Sequence, residues 1–361
     1  MREVGGVAMS GAGDHMVSAG DAEQAKRIRG ALIGCAYGDA MGMPTEFVPR
    51  PVIKETCPRG IETFLPSLEG GVYPRSLRAG EVTDDTVNTV LVAELLIDRK
   101  GDFDARAYID YLKDWIERNP DKNDVVSGPS TRRALDALEH GAPLAQAGVC
   151  GTTNGAAMKI SPVGCVEDYR DMECLVDAVE QVCLATHNTG IAIAGASAVA
   201  ACVSYGVSGG SDMDEMMGAA AEAIHKGSSR GFPYPSVDLG KRLELVCSCV
   251  EGRSLPDALA LLSDVFGCGV EVSETIPAAL CLVRLAEGNA VQAARLAACV
   301  GGDTDTIGAI AGAICGSMRP DVFPQADVEL LETVNGLDFD ALAEGLLSAR
   351  LARTHGVTPR L

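Results

Sequence analysis

Basic charge and aromatic side chains are both scarce in this sequence. Thirty Lys and Arg stand against fifty Asp and Glu in 361 residues, a formal net charge of -20. The isoelectric point is near 4.6. A surface of that sign repels polyphosphate, which excludes nucleic-acid groove binding through a basic patch and excludes docking to anionic membranes. A phosphate-bearing ligand would need another means of attachment. Aromatic residues are 4% of the chain, with one Trp, which disfavours a β-sandwich built from aromatic and β-branched strands. No stretch of eighteen consecutive apolar residues occurs, and the Gly-containing first 24 residues hold no long apolar run. Neither a membrane span nor a signal peptide is expected, and the protein is expected to be soluble and cytoplasmic.

Cysteine pairing is also missing. The thirteen cysteines are odd in number, and most sit singly in Ala-rich stretches, such as Cys202 and Cys299. Cys247 and Cys249 are close, but no His or second pair at zinc spacing accompanies them. Free thiols in a reducing compartment follow, and no structural zinc.

Small residues are abundant instead. Apolar residues are 47% of the chain and glycines number 41, a composition suited to helices whose backbones approach closely. Val87, Val90, Leu91 and Leu95 follow the 3.6-residue period, as do Tyr108, Tyr111, Leu112 and Trp115. The same spacing predicts helices over 172–185, 190–205, 213–226, 238–251, 256–266, 275–286, 290–300, 306–317 and 338–350. Strict alternation is sustained nowhere. The expectation is an all-α fold, one compact bundle of ten or more helices without a repeat. It would span residues 22–361 after a flexible lead-in over 1–21, with Asp21 capping the first helix. Residues 44–80, rich in Pro and Gly, read as a long structured loop with little regular secondary structure.

Two acid clusters open apolar helices: Glu81-Val82-Thr83-Asp84-Asp85-Thr86 and Gly301-Gly302-Asp303-Thr304-Asp305-Thr306. Helix capping accounts for one Asp or Thr per helix start, and for two acids less well. The second helix carries Gly308, Ala309, Ala311, Gly312, Ala313 and Gly316, so another helix must abut it. Carboxylates beside such a buried helix are costly without a cation, and hard oxygen donors select Mg²⁺, Mn²⁺ or Ca²⁺. If the two helix starts converge, their acids and threonines cradle two divalent ions.

Three further segments carry chemistry. Gly151-Thr152-Thr153-Asn154-Gly155-Ala156-Ala157-Met158 is a Gly-rich turn, read either as simple packing or as backbone N–H groups that hold a phosphate. Thr186-His187-Asn188-Thr189-Gly190 opens a small-residue helix, with His187 either a structural group or a ligand contact. Asp39, within Gly38-Asp39-Ala40-Met41-Gly42, reads as a buried hydrogen-bonding acid. Glu46 follows on the Pro-containing loop, either solvated or able to cover a site.

Taken together, these five motifs resemble the ADP-ribosylglycohydrolase family, which contains dinitrogenase reductase-activating glycohydrolase and the ADP-ribosyl-acceptor hydrolases. The likeness covers about residues 26–318. It implies an all-α orthogonal bundle with a dinuclear Mg²⁺ or Mn²⁺ cleft. By resemblance, Thr83, Asp84, Asp85 and Asp305 ligate one metal, and Asp303, Asp305 and Thr306 the other. The turn from Thr153 through Asn154, Gly155 and Ala156, and the segment His187, Asn188, Thr189 and Gly190, match the places where relatives hold the diphosphate and adenosine of ADP-ribose. Glu46 matches the loop glutamate that approaches the scissile ribose in some members. Lys159 stands where relatives often carry Arg.

The activity so implied is cleavage at the anomeric carbon of ribose, with Glu46, Asp84 and Asp303 as candidate acid or base. The expected partner is an ADP-ribosylated protein, modified on arginine, or a small ADP-ribosyl compound such as O-acetyl-ADP-ribose or a modified nucleoside. A silent, crystallin-like binding protein is the non-enzymatic alternative.

Overall fold

The computed structural model describes residues 18–69, 71–72, 76–120 and 128–355. Residues 1–17 of the expected lead-in lie outside the described residues. Among the described residues the chain is all-α, with seventeen α-helices and, in place of strands, two isolated bridges.

The chain begins with α1 (Ala19–Gly42), α2 (Arg50–Thr56), α3 (Asp84–Asp98), α4 (Ala105–Arg118), α5 (Pro129–Glu139) and α6 (Leu144–Ala147). Next come α7 (Ser161–Val166), α8 (Met172–Cys183), α9 (Gly190–Val207), α10 (Met213–Gly227), α11 (Leu239–Val250) and α12 (Leu255–Leu261). The chain continues through α13 (Val272–Leu285), α14 (Ala290–Val300), α15 (Thr304–Met318), α16 (Gln325–Asn335) and α17 (Phe339–His355).

Two expectations need correction. Ser18, not Asp21, caps α1: its hydroxyl accepts the Asp21 N–H at 3.1 Å while the Asp21 carboxylate accepts the Ser18 N–H at 3.1 Å. This reciprocal box satisfies two otherwise orphaned donors, so residues 19–21 are helical and not lead-in. The loop over 44–80 also contains a helix, α2. Pro51 lies in its first turn, where a missing N–H costs nothing, so a proline-rich composition concealed it.

Small residues set the centre of the fold. Gly30, Gly34, Gly38 and Gly42 recur every fourth residue along one face of α1. Antiparallel to them, α15 presents Gly316, Gly312, Gly308 and Thr304. A Cβ on Gly34 would lie 2.0 Å from the Gly312 carbonyl oxygen, and one on Gly38 would lie 1.9 Å from that of Gly308. Backbone therefore touches backbone along the whole pair, and only glycine permits that approach. The consequence is positional: Asp39 on α1 is brought beside the first turn of α15.

Helix α9 is apolar enough in length and composition to cross a membrane, with mean hydropathy 1.7, yet every residue of it is buried in the fold. It forms part of the core. All thirteen cysteines are free, and those of α11 and α13 come closest, with Cys247 Sγ 3.6 Å from Cys281 Sγ.

Candidate metal centre

Each acid-bearing segment reaches the centre from a helix start, but capping explains little of the arrangement. Thr83 is the N-cap of α3, its hydroxyl accepting the Asp85 N–H at 3.5 Å. Asp303 is the N-cap residue of α15, but its side chain makes no capping hydrogen bond. It accepts instead from the Asn154 carboxamide at 2.5 Å. The Gly301-Gly302 pair delivers it there. Both glycines have positive φ, at 84° and 78°, and a Cβ on Gly302 would lie 2.1 Å from the Cys268 carbonyl oxygen.

The convergence is close. One carboxylate oxygen from each of Asp39, Asp85 and Asp305 lies within 4.8 Å of the others, and the same holds for Glu46, Asp303 and Asp305. Asp305 belongs to both groups. The Thr83 and Thr306 hydroxyls join the first group by donating to Asp85 Oδ2 at 3.1 and 3.3 Å. Asp84 belongs to neither group; half-buried at the start of α3, it is near enough that its charge raises both Asp85 and Asp303. Glu46 comes in from the loop, where Phe47, at φ 51°, donates its N–H to Gly302 O at 2.8 Å.

The electrostatics are those of a cation site. Asp39, Asp85, Asp303 and Asp305 are 0, 1, 4 and 2% exposed. Burial first, and then the neighbouring Asp305, push Asp85 and Asp303 well above the usual carboxylate range and Asp39 up to about 7. Asp39 tolerates burial by accepting from Thr83 and Thr86, whose N–H groups and hydroxyls all point at it over 2.5–3.1 Å. Asp85 Oδ1 is buried with no hydrogen-bond partner. An orphaned anionic oxygen among repelling carboxylates is unfavourable alone and is the donor set that a hard divalent cation stabilises. Asp39 therefore combines the buried hydrogen-bonding role expected of it with a place among the candidate ligands, which its single-acid motif did not reveal.

The Gly-rich turn and the His187 segment adjoin this centre. Besides Asp303, Asn154 Nδ2 donates to Thr275 Oγ1 at 2.8 Å. Thr153 Oγ1 lies 3.1 Å from His187 Nε2, and Thr186 Oγ1 lies 2.8 Å from Nδ1. A Cβ on Gly155 would approach the His187 ring to 2.9 Å, so glycine admits the imidazole. Burial, followed by Lys159 and Arg133, holds His187 well below its ordinary pKa, which keeps it neutral. Ala156 is fully buried.

The backbone N–H groups of His187, Asn188, Thr189 and Gly190 donate within the protein, to Cys183 O, Gly148 O, His187 O and Phe232 O over 2.7–3.1 Å. The Thr189 hydroxyl donates to Gly151 O at 2.6 Å. The amides of this segment are thus used within the protein, and its side chains are buried. Beside Gly190, a cavity of about 760 Å³ is walled by Ile191, Met217, Ile224, Tyr234 and Leu243.

Comparison with known proteins identifies the architecture. The family model for ADP-ribosylglycohydrolase matches residues 20–356. The chain belongs to the ADP-ribosylglycohydrolase family. The uncharacterized protein YegU of Escherichia coli (strain K12) is 36% identical over 331 residues, 91% of this chain and 98% of that protein. ADP-ribosylarginine hydrolase Tri1 of Serratia proteamaculans (strain 568) is 32% identical over 126 residues, 34% of this chain and 31% of its own length. The ADP-ribosyl-dinitrogen reductase glycohydrolase of Rhodospirillum rubrum is 31% identical over 137 residues, 38% of this chain and 43% of its own. A solved structure described as an ADP-ribosylglycohydrolase-related protein complex shares the fold, with TM-score 0.65, 24% identity, and coverage of 91% of this chain and 99% of that one. As a member of the ADP-ribosylglycohydrolase family, the chain is a hydrolase of ADP-ribosyl bonds.

Proposed function

We propose that this enzyme removes mono-ADP-ribose from arginine side chains of modified proteins, and that two Mg²⁺ or Mn²⁺ ions serve the reaction. One observation carries the metal reading: Asp305 is shared by two separate three-carboxylate groups, Asp39–Asp85–Asp305 and Glu46–Asp303–Asp305. On this reading Asp85, with Thr83 and Thr306 beside it, holds one ion, Asp303 the other, and Asp305 lies between them. Bound there, such ions supply Lewis-acid polarisation of the ribose hydroxyls and of water.

The chain's own residues divide the remaining work. Glu46 and Asp84 are the half-buried acids of the centre, so a leaving group or water arriving from solvent meets them before the buried four. They are the candidates for moving the proton at the glycosidic bond. Asp303, held by Asn154, is fixed and acts as a ligand with less freedom to exchange a proton. His187, neutral, 1% exposed and bonded through both ring nitrogens, braces the Thr153–Gly155 turn from behind. The cavity beside Gly190, lined by Ile191, Tyr234 and Leu243 together with His225, Lys241 and Glu244, suits a purine ring. The partly matching relatives named as an arginine hydrolase and a dinitrogen reductase glycohydrolase support the protein acceptor.

The test is release of ADP-ribose from ADP-ribosyl-arginine protein, ADP-ribosyl-serine peptide and O-acetyl-ADP-ribose, each with Mg²⁺, Mn²⁺ or EDTA. Metal-dependent release from arginine, lost in Asp303→Ala, is expected. Turnover of O-acetyl-ADP-ribose alone would replace the protein acceptor with a small compound, and an EDTA-insensitive rate would remove the metals.

A further inference from the structure

The turn that carries Asn154 touches both acid-bearing helix starts. At its front, Asn154 donates to Asp303 ahead of α15. At its back it meets α3 directly through Thr89 and indirectly through Tyr108 of α4. Thr89 Oγ1 donates to Met158 O at 3.2 Å. Lys159 Nζ donates to the Tyr108 hydroxyl at 3.1 Å, that hydroxyl donates to Asn88 Oδ1 at 2.7 Å, and Asn88 Nδ2 donates to the Asp84 carbonyl oxygen at 2.8 Å. A continuous chain of donors therefore runs from Lys159 to the first turn of α3.

Lys159 is an improbable residue for that place on packing grounds alone. It is 1% exposed, and among the described residues no carboxylate lies within ion-pairing distance of it. Its ammonium lies 4.5 Å from the centroid of the Tyr108 ring, so a phenol oxygen and a π face are its immediate compensation. A buried ammonium so weakly paired is disfavoured relative to a well-packed apolar side chain. Burial lowers the pKa of the Lys159 ammonium to about 8, and the groups that oppose this are Cys183 and then Asp84.

We propose that Lys159 is a positioning residue for the metal centre: through Tyr108 and Asn88 it fixes the first turn of α3, and so sets Asp84 and Asp85 at their distance from Asp303. The inference rests on the metal reading above and extends it to three residues outside the candidate ligand set. The turn 154–159 then acts as a strut between the two acid clusters, holding Asp303 with one end and α3 with the other. Partners one shell beyond a metal's ligands commonly contribute about ten- to a hundredfold in affinity, because they fix ligand orientation.

Titration of the metal-stripped full chain with Mn²⁺, followed by calorimetry, tests this. Tyr108→Phe keeps the ring and its volume but breaks the relay, and Lys159→Met removes the charge and the donor. Each is expected to weaken Mn²⁺ binding about tenfold. Because both interrupt one chain, the double variant is expected to lose little more than either single one. Melting temperatures without metal show whether each variant is folded, and Tyr108→Phe remains the deciding variant if Lys159→Met is not. Wild-type affinity in Tyr108→Phe, or additive losses in the double variant, would overturn the strut while leaving the metal centre intact. Failure of the wild-type chain to bind Mn²⁺ would overturn both.

Discussion

The Asn154 carboxamide donates to Asp303 Oδ2 at 2.5 Å, joining residues 149 positions apart. The turn, read from sequence either as simple packing or as a phosphate cradle, orients a carboxylate of the candidate metal centre. Asn154→Ala frees that carboxylate and is expected to lower Mn²⁺ affinity and turnover about ten- to a hundredfold. Asn154→Asp, which sets a like charge beside Asp303, is expected to be worse. Calorimetry and steady-state rates on the two variants check the order.

Asp85 is a liability until a cation arrives. Its buried charge is opposed by Asp305, Asp39, Asp84 and Asp303, so Asp85→Asn is expected to raise the melting temperature of metal-stripped protein. Added Mn²⁺ is expected to stabilise the wild type, and the same change is expected to abolish that effect, since only a ligand bound to the folded state shifts unfolding. Thermal melts of both proteins, with and without Mn²⁺, separate the two effects.

The glycine contact between α1 and α15 leaves no room for a methyl group. A Cβ on Gly312 would lie 2.0 Å from the Gly34 carbonyl oxygen, and one on Gly34 equally close to that of Gly312. Overpacking usually costs about 1–3 kcal/mol when side chains can give way. Here backbone meets backbone, so Gly312→Ala is expected to lose at least about 3 kcal/mol, read from urea midpoints.

His187 gives stability a pH dependence of known sign. Its folded-state pKa lies well below the ordinary value because of burial and the nearby charges of Lys159 and Arg133. Its contribution is complete above about pH 6.5, the unfolded value, and is lost as pH falls, because only the unfolded chain then takes up the proton. The slope is at most about 1.4 kcal/mol per pH unit. His187→Asn is expected to flatten the pH dependence between pH 6.5 and the acid limb, on top of a pH-independent loss from the imidazole's packing and its two hydrogen bonds. Urea unfolding across that range measures the difference.

Most helices were legible from the apolar period, but α5 (Pro129–Glu139) and α16 (Gln325–Asn335) were not anticipated. The spacing over 290–300 matches α14 at both ends, and that over 190–205 falls two residues short of α9. Element α2 was hidden because Pro and Gly mark loops by composition, and only position decides whether a proline opens a helix or breaks one. Asp39 shows the same limit at the centre. A single acid in Gly38-Asp39-Ala40 announces burial, but its neighbours Asp85 and Asp305 come from helices far along the chain.

Sequence by itself determined the helical class, the family, the small-residue interior and the two adjacent-acid helix starts, because periodicity, composition and motif order are local properties of a chain. Tertiary structure alone decided that Asp39 joins the acid cluster, and that Asn154 donates to Asp303 while Lys159 donates to Tyr108 on the far side of the same turn; the sharing of Asp305 and the approach of Glu46, which the resemblance implied, received their geometry there. The physical reason is the bare backbone contact of α1 with α15: it draws the first turn of α15 against Asp39, and no periodicity along the chain records which helices will meet there.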